Sequence, residues 1–270
     1  MEAPSPFVDA DWLRSPNSAR MYDYFLGGYH NVEIDRRAAE QLKAVVPDIV
    51  LSSRINRLFL RRAVERLARQ GIDQFLDIGS GIPTVGNVHE VALQTNPATR
   101  VVYVDIDPVA VAHSRSILEG NPSATALQAD FCQMTDILRH PETLRMLDFD
   151  RPIGVLLVAL LHFVQDDADI QHALRTLSRR LPSGSCVVIS HGAVDDVPPD
   201  VVEQVARVYA RSSSPLRLRT RAQIEALFAE FELLEPGVVP APVWYPDSSY
   251  ELGLDDPERV GILVGVGRKA

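Results

Sequence analysis

The chain has 270 residues, 46% hydrophobic and 23% charged, a balance that supports a substantial core and argues against a disordered chain. Its 27 basic and 36 acidic side chains give a formal charge of −9, which repels phosphate backbones and sets nucleic acid aside as a partner. The two cysteines, Cys132 and Cys186, lack the spacing of a metal cluster or redox pair, and no apolar run is long enough to span a bilayer. The expectation is a cytoplasmic protein without metal or membrane partner.

The opening residues, rich in Pro, Ser and Asp around Val8, Trp12 and Leu13, read as an extended arm. From Asn17, the residues Met21, Tyr22, Tyr24, Phe25 and Leu26 form a helical face that Gly27 and Gly28 end. A second helix is predicted from near Asp35, with Ala38, Leu42 and Val45 at helical spacing. It ends before Pro47, because proline pushes the preceding residue out of the helical region. A third is predicted to start after Ser52 or Ser53 and to bury Ile55, Phe59, Leu60, Ala63, Val64 and Leu67 before Gly71.

Strand-like runs then alternate with helical stretches, at 74–78, 101–105, 125–128, 154–160 and 185–190. Near-continuous apolar runs such as Val155, Leu156, Leu157 and Val158 are what a parallel sheet covered on both faces demands. Crossover helices are expected at 108–118 and 168–181, with right-handed connections. Beyond residue 201 come a helix through Tyr209, a segment at 212–220, a helix at 221–231, a Pro-rich loop at 236–246 carrying Pro242, Trp244 and Tyr245, and last strands around Leu233 and Ile262. No break in composition divides the chain. It is expected to be one domain, with a helical cap over 1–70, a cofactor-binding core over 71–200 and closing helices and strands over 201–270.

The most informative stretch is Phe75-Leu76-Asp77-Ile78-Gly79-Ser80-Gly81-Ile82-Pro83-Thr84, a strand ending in two closely spaced glycines that let backbone approach a ligand. A dinucleotide site would favour a third small residue near position 84 for helix packing. Thr84 after Pro83 weakens that oxidoreductase reading.

The stretch resembles the glycine-rich first motif of class I methyltransferases, with Asp77, Gly79 and Gly81 at the matching positions and Ser80, between the glycines, a further cofactor candidate. The whole chain resembles an actinobacterial family of largely uncharacterised S-adenosylmethionine-dependent methyltransferases. That likeness rests on Ser18 through Gly28, on Asn31, Asp35-Arg36, Arg54-Ile55-Asn56-Arg57, Leu161-His162-Phe163 and Pro236-Gly237-Val238. It implies an α/β fold, a Rossmann-like doubly wound sheet, mostly parallel with an antiparallel C-terminal edge, plus an N-terminal helical extension. It also implies S-adenosyl-L-methionine as cofactor and methyl transfer to a small-molecule acceptor. A non-enzymatic protein binding S-adenosylmethionine or S-adenosylhomocysteine, and an NAD(P)-dependent oxidoreductase, are the alternatives.

By that resemblance Asp105, at the end of the second strand, accepts the ribose hydroxyls with Ile106 beside it. Asp107, ahead of Pro108, is the rival acid, though its position suits a helix cap. Asp130 and Phe131, after the third strand, are adenine candidates. Each acid alone has a plainer reading as a turn or helix cap. Tyr22 and Asn31 are preferred as cofactor-facing side chains of a lid, against ordinary helix packing. Arg54, near Arg57 and Arg61 on a basic helix, is the candidate for the methionine carboxylate, while most of that stripe is simply solvated. At the end of the fourth strand Leu160 and Leu161 can line the pocket, and His162 can orient or deprotonate an acceptor hydroxyl or amine, or merely bond a loop. His191 is the second candidate for catalysis.

Overall fold

The computed structural model describes residues 14–82, 86–195, 197–247 and 253–270. The Val8, Trp12 and Leu13 arm and the Pro83 and Thr84 step lie outside the described residues. Asn17 caps α1 (Ser18–Phe25), its Oδ1 accepting from the Arg20 N–H at 3.0 Å, and left-handed Gly27 follows the helix end. α2 spans Glu33–Val45 and stops short of Pro47 as expected. α3 (Ile49–Arg69) begins about a turn before the expected serines. Neither serine caps it: Ser53 Oγ donates back to Ile49 O and Ser52 Oγ to Val260 O, both at 2.7 Å, so both sit inside the helix.

Next come β1 (Gln74–Ile78), α4 (Val88–Thr95), β2 (Arg100–Asp105), α5 (Pro108–Ile117), β3 (Ala124–Gln128), α6 (Met134–Arg139), α7 (Pro141–Met146), β4 (Gly154–Val158), α8 (Asp167–Arg180) and β5 (Cys186–Gly192). The chain closes with α9 (Pro199–Tyr209), α10 (Arg221–Glu225), β6 (Glu232–Leu233), β7 (Val239–Pro240) and β8 (Ile262–Arg268). The sheet runs β3-β2-β1-β4-β5-β8-β6, with β7 also on β8. β1 to β5 are parallel, and β8 runs antiparallel to β5, β6 and β7. The fold is therefore the expected doubly wound sheet with an antiparallel edge.

Alternation is present in the strands but hidden, because both faces are buried. Leu76, Ile78, Val102, Val104, Val155, Leu157, Val187 and Ile189 join the core on one face. Phe75, Val101, Tyr103, Leu156 and Val188 join the other, with the α3 stripe Ile55, Phe59, Ala63 and Leu67. Three expected boundaries shift. The fourth strand ends at Val158, not Leu160, because Ala159 turns left-handed (φ 56°), its N–H donating to Ser190 Oγ at 2.9 Å. The helix expected through Phe231 is α10 followed by a 3₁₀ turn at Ala226–Phe228, and the Pro-rich loop holds the unforeseen β7.

The chain winds outward from β1 through β2 to β3, then crosses back to β4 and β5. Ligands of open sheets collect where this order reverses, beyond the carboxyl ends of β1 and β4.

Candidate active site

A cavity of about 1250 Å³ opens at that reversal, lined from β1, β2, β4, β5, the three N-terminal helices and α9. Its floor is the glycine loop. The Gly79 and Ser80 N–H groups both donate to Val104 O, at 2.8 and 3.1 Å, folding the loop over β2. Gly79 has φ 74°, and a Cβ there would lie 2.6 Å from Leu160 Cδ1, so both backbone shape and space require glycine. Gly81, at φ 65°, lies under α1, where a Cβ would touch that of Ala19 at 3.8 Å. Gly79→Ala is expected to weaken S-adenosylhomocysteine binding at least tenfold by calorimetric titration, with a lower melting temperature. Gly71→Ala, whose site is open, keeps the affinity and bears only a backbone cost of roughly 1–2 kcal/mol.

Four acids ring the floor. Asp77, 6% exposed at the β1 end, has its carboxyl pushed up to about 7, first by burial, with Arg57 pulling it down and Asp105 adding to the rise. Asp105 is buried and bridges two segments, its Oδ2 accepting from Gly81 N (2.7 Å) and its Oδ1 from Asp107 N (2.9 Å). Burial raises its pKa against the pull of those N–H groups. Asp107 is the N-cap of α5: its Oδ1 accepts from Val109 N at 2.8 Å and its Oδ2 from Asn17 Nδ2 at 2.7 Å. Asp130 lines the cavity while its Oδ1 caps Cys132 N at 2.9 Å, beside buried Phe131 and, on the rim, the largely exposed Ile106.

Helices α1 and α3 form the roof. Tyr22 lines the cavity with its ring, while its hydroxyl donates to Ser53 O (3.0 Å) and accepts from Asn56 Nδ2 (2.9 Å). Burial holds that phenol in its neutral form. Among the described residues Asn56 Oδ1, Arg57 Nε and Ser80 Oγ are buried without a hydrogen-bond partner, and all three residues line the cavity.

Two expected residues do not reach the site. Asn31 points away, its Nδ2 tied to Asp23 Oδ2 and Gly28 O at 2.9 Å and its Oδ1 held by Arg36, so it shapes the turn after α1. Arg54 is exposed on the outer face of α3, and Arg57, three residues on, lines the cavity instead.

At the other end of the cavity, over β4 and β5, stand the two histidines. Leu160 and the 3₁₀ turn Leu161–Phe163 carry His162 to the wall. Its Nδ1 accepts from Gly192 N at 3.4 Å, and burial keeps its pKa well below the ordinary range. His191 is fully buried behind it, with ring centroids 5.3 Å apart. Its Nε2 accepts from Arg219 Nη1 (2.9 Å), which places its proton on Nδ1, directed at Gly192 O (2.8 Å). Its pKa is lowered to about 4, chiefly by burial, and both nitrogens are occupied.

Arg219, which sequence reasoning passed over, is 1% exposed and also donates to Leu161 O and Val164 O (2.9 Å each) and pairs with Asp167 at 2.7 Å. It thereby fixes the turn that carries His162. Among the described residues no group of His, Cys, Asp and Glu is arranged to hold a metal. Both cysteines are free, and no helix is long and apolar enough to cross a membrane.

The strand order, the glycine loop and the acids at successive strand ends define a class I methyltransferase. A family model described as S-adenosyl methyltransferase matches residues 5–270, and the chain belongs to that family. It is 38% identical to a protein of Thermobifida fusca described as a methyltransferase, over 100% of this chain and 99% of that one, with a TM-score of 0.89. A DUF574 family protein of Streptomyces avermitilis is also 38% identical, over 97% and 100%, with a TM-score of 0.89. Human N-acetylserotonin methyltransferase, solved with S-adenosylmethionine, shares the fold at 15% identity, over 97% of this chain and 65% of that one, with a TM-score of 0.51. No curated protein matches the chain. The chain is accordingly an S-adenosylmethionine-dependent methyltransferase, and the nicotinamide reading falls away.

Proposed function

We propose that the chain transfers a methyl group from S-adenosylmethionine to a small molecule bound over β4 and β5, with the cofactor over β1 to β3. The supporting observation is a set of polar groups facing one another from roof and floor, three of them with a buried unpaired atom. Among the described residues Arg57 Nε and Ser80 Oγ are donors without acceptors and Asn56 Oδ1 is an acceptor without a donor, and the Asp77 carboxyl lines the cavity with them. Buried polar groups are otherwise nearly always paired. A zwitterionic amino-acid end matches all four, its carboxylate taking Arg57 and Ser80 and its ammonium taking Asp77 and Asn56. Asp105 meets the ribose, Ile106 and Phe131 flank the adenine, and Asp130 accepts from its amino group. Gly79, Gly81, Tyr22 and Leu160 shape the walls.

Bound there, S-adenosylmethionine supplies a methyl group already activated on sulfur. The protein's own work is to align the acceptor and keep water out. Of the two histidines, His162 faces the acceptor. Its Nδ1 receives the Gly192 N–H, so the neutral ring carries its proton on Nε2 and offers a donor to an acceptor oxygen. His191, bonded at both nitrogens, acts as a support. The cavity exceeds the roughly 300–1,000 Å³ of a site for one drug-sized ligand, which supports room for a second molecule. The net charge of −9 supports a small-molecule partner over nucleic acid, and the unpaired cysteines support work in the reducing cytoplasm. The three stretches 1–70, 71–200 and 201–270 act as one domain, serving as cap, cofactor core and acceptor wall.

The test is calorimetric titration with S-adenosylhomocysteine. Arg57→Ala is expected to weaken binding roughly 10 to 150 fold, the worth of about 1.5–3 kcal/mol for a hydrogen bond to a charged group. Arg54→Ala, an exposed change, leaves the affinity within about twofold. The reverse ranking, or no saturable binding by the parent protein, overturns the assignment.

A further inference from the structure

Between α1, α2 and α9 lies a third apolar cluster, apart from the two that cover the sheet. Phe25, Leu42, Val205 and Tyr209 are its buried members on the cavity, with Phe163, Val201 and Leu216 partly exposed on the same wall. It adjoins the end of β4, next to His162, and shares no residue with the acids at the ends of β1 to β3.

Two polar tips enter this apolar wall. Tyr209 is only 8% exposed, yet among the described residues its hydroxyl has no hydrogen-bond partner. The neighbouring phenol of Tyr22 is already committed to Ser53 and Asn56 and cannot satisfy it. The second tip is His162 Nε2, also without a protein partner, while Nδ1 is turned back to Gly192. Phe163 stands between them, its ring centroid 4.5 Å from that of His162 and 5.7 Å from that of Tyr209. Both tips open onto the cavity, so one ligand hydroxyl can bond the two together.

Charge matching narrows the ligand further. The guanidiniums on this side of the cavity are already taken. Arg259 pairs with Asp48 through two contacts of 2.6 Å, and Arg221 donates to Val238 O (2.6 Å) and pairs with Glu258 at 3.4 Å. The Asp195 carboxylate accepts from the Arg221 N–H at 2.7 Å. An anionic ligand here would lose its hydration and find no unmatched cation in exchange.

From this arrangement we infer that the cluster is the acceptor subsite, and that it takes an uncharged, flat, apolar molecule bearing a hydroxyl held between Tyr209 and His162, with its body on Phe163. The inference rests on the cofactor reading above and adds the class of acceptor to it. Aromatic rings pair in offset or edge contacts, and Phe163, partly exposed on the cavity, can take a planar ring in that way.

The test titrates the protein, saturated with S-adenosylhomocysteine, with 2-naphthol at pH 7 and with the anionic 2-naphthoate. 2-Naphthol is expected to bind saturably and 2-naphthoate at least tenfold more weakly. Tyr209→Phe, which removes only the hydroxyl, weakens 2-naphthol about five- to tenfold. Val205→Trp, which fills the cluster, abolishes its binding. Both variants keep S-adenosylhomocysteine affinity within twofold, which shows that each is folded. Failure of 2-naphthol to bind protein that does bind S-adenosylhomocysteine overturns the acceptor class alone. So does equal or tighter binding of 2-naphthoate, or binding to both variants as to the parent. Failure of S-adenosylhomocysteine itself to bind overturns the underlying cofactor reading, and the inference with it.

Discussion

Arg219→Met is expected to destabilise the protein by about 3–5 kcal/mol, the cost of removing one member of a buried charged network. The methionine fills similar volume but donates nothing. Leu161 O, Val164 O and His191 Nε2 then lose their donor inside the protein, while Asp167, half exposed, recovers much of its hydration. Each orphaned buried acceptor costs roughly 1–3 kcal/mol, which is why the three carbonyl and imidazole contacts outweigh the ion pair. At about 2–4 °C per kcal/mol for a chain of this size, the melting temperature falls by roughly 10 °C. Arg219→Lys recovers part of the loss, because one ammonium cannot reach four acceptors spread around a planar fork. Cofactor affinity provides the second readout. The residues assigned to the cofactor stand mainly on β1 to β3 and α3, so S-adenosylhomocysteine affinity changes less than tenfold in protein that remains folded. A melting temperature within about 3 °C of the parent would show that the network contributes little.

Residues 217–219 explain why that network was invisible in the sequence. The sequence marks 212–220 only as a segment between two helices, and nothing in Leu216-Arg217-Leu218-Arg219 singles out one arginine for burial. The structure buries Arg219 because the β4 and β5 ends supply the acceptors, and those lie up to 58 residues away in sequence. Strand positions were legible because a doubly covered parallel sheet must write continuous apolar runs. Glycine positions were legible because few other residues tolerate their backbone angles.

Side-chain direction was less so. Arg54 and Arg57 are three residues apart and differ by roughly 60° in helical phase. With α3 read from Ser53, Arg54 stands at the helix mouth; with its true start at Ile49, Arg57 faces the cavity and Arg54 faces water. The left-handed Ala159 carried no signal, since alanine is common everywhere and its conformation is imposed by Ser190 on the next strand. Tyr209 did have one, since Val201, Val205 and Tyr209 repeat at four-residue spacing along α9.

The chain also clasps its own roof. Asn17 donates to Asp107 Oδ2 at 2.7 Å and to Ser213 Oγ at 3.2 Å, and its backbone N–H reaches Asp35 Oδ1 at 2.9 Å. Asp35 in turn is fully buried against Arg20 at 2.7 Å. The start of α1 is thus tied to the start of α5, next to the acid assigned to the ribose. Asp107 thus has one oxygen in the α5 cap and the other in the clasp, while Asp105 has one on the glycine loop and the other on the start of α5.

The place of Asp105 at the end of β2, bonded to the glycine loop itself, sets its expected behaviour. A carboxylate has about four lone-pair positions, and Gly81 N and Asp107 N take one on each oxygen. Two remain for the vicinal hydroxyls of a ribose, in charge-assisted bonds. Asp105→Ala removes those acceptors and also releases the glycine loop from β2. S-adenosylhomocysteine affinity is expected to fall about 30 to 150 fold, equivalent to roughly 2–3 kcal/mol, and the ligand-free melting temperature falls with it. Asp105→Asn is no milder for affinity. Its single carbonyl oxygen can serve Gly81 N or Asp107 N, and its amide group must then face the other N–H, donor against donor. Asp107→Ala supplies the contrast. It loses the α5 cap, worth about 1 kcal/mol, and the Asn17 clasp, so stability falls while affinity changes only a few fold. Calorimetric titration paired with thermal unfolding separates the two acids. An unchanged dissociation constant for folded D105A, or a larger affinity loss in D107A, would reject the ribose assignment and leave Asp105 as a strut of the glycine loop.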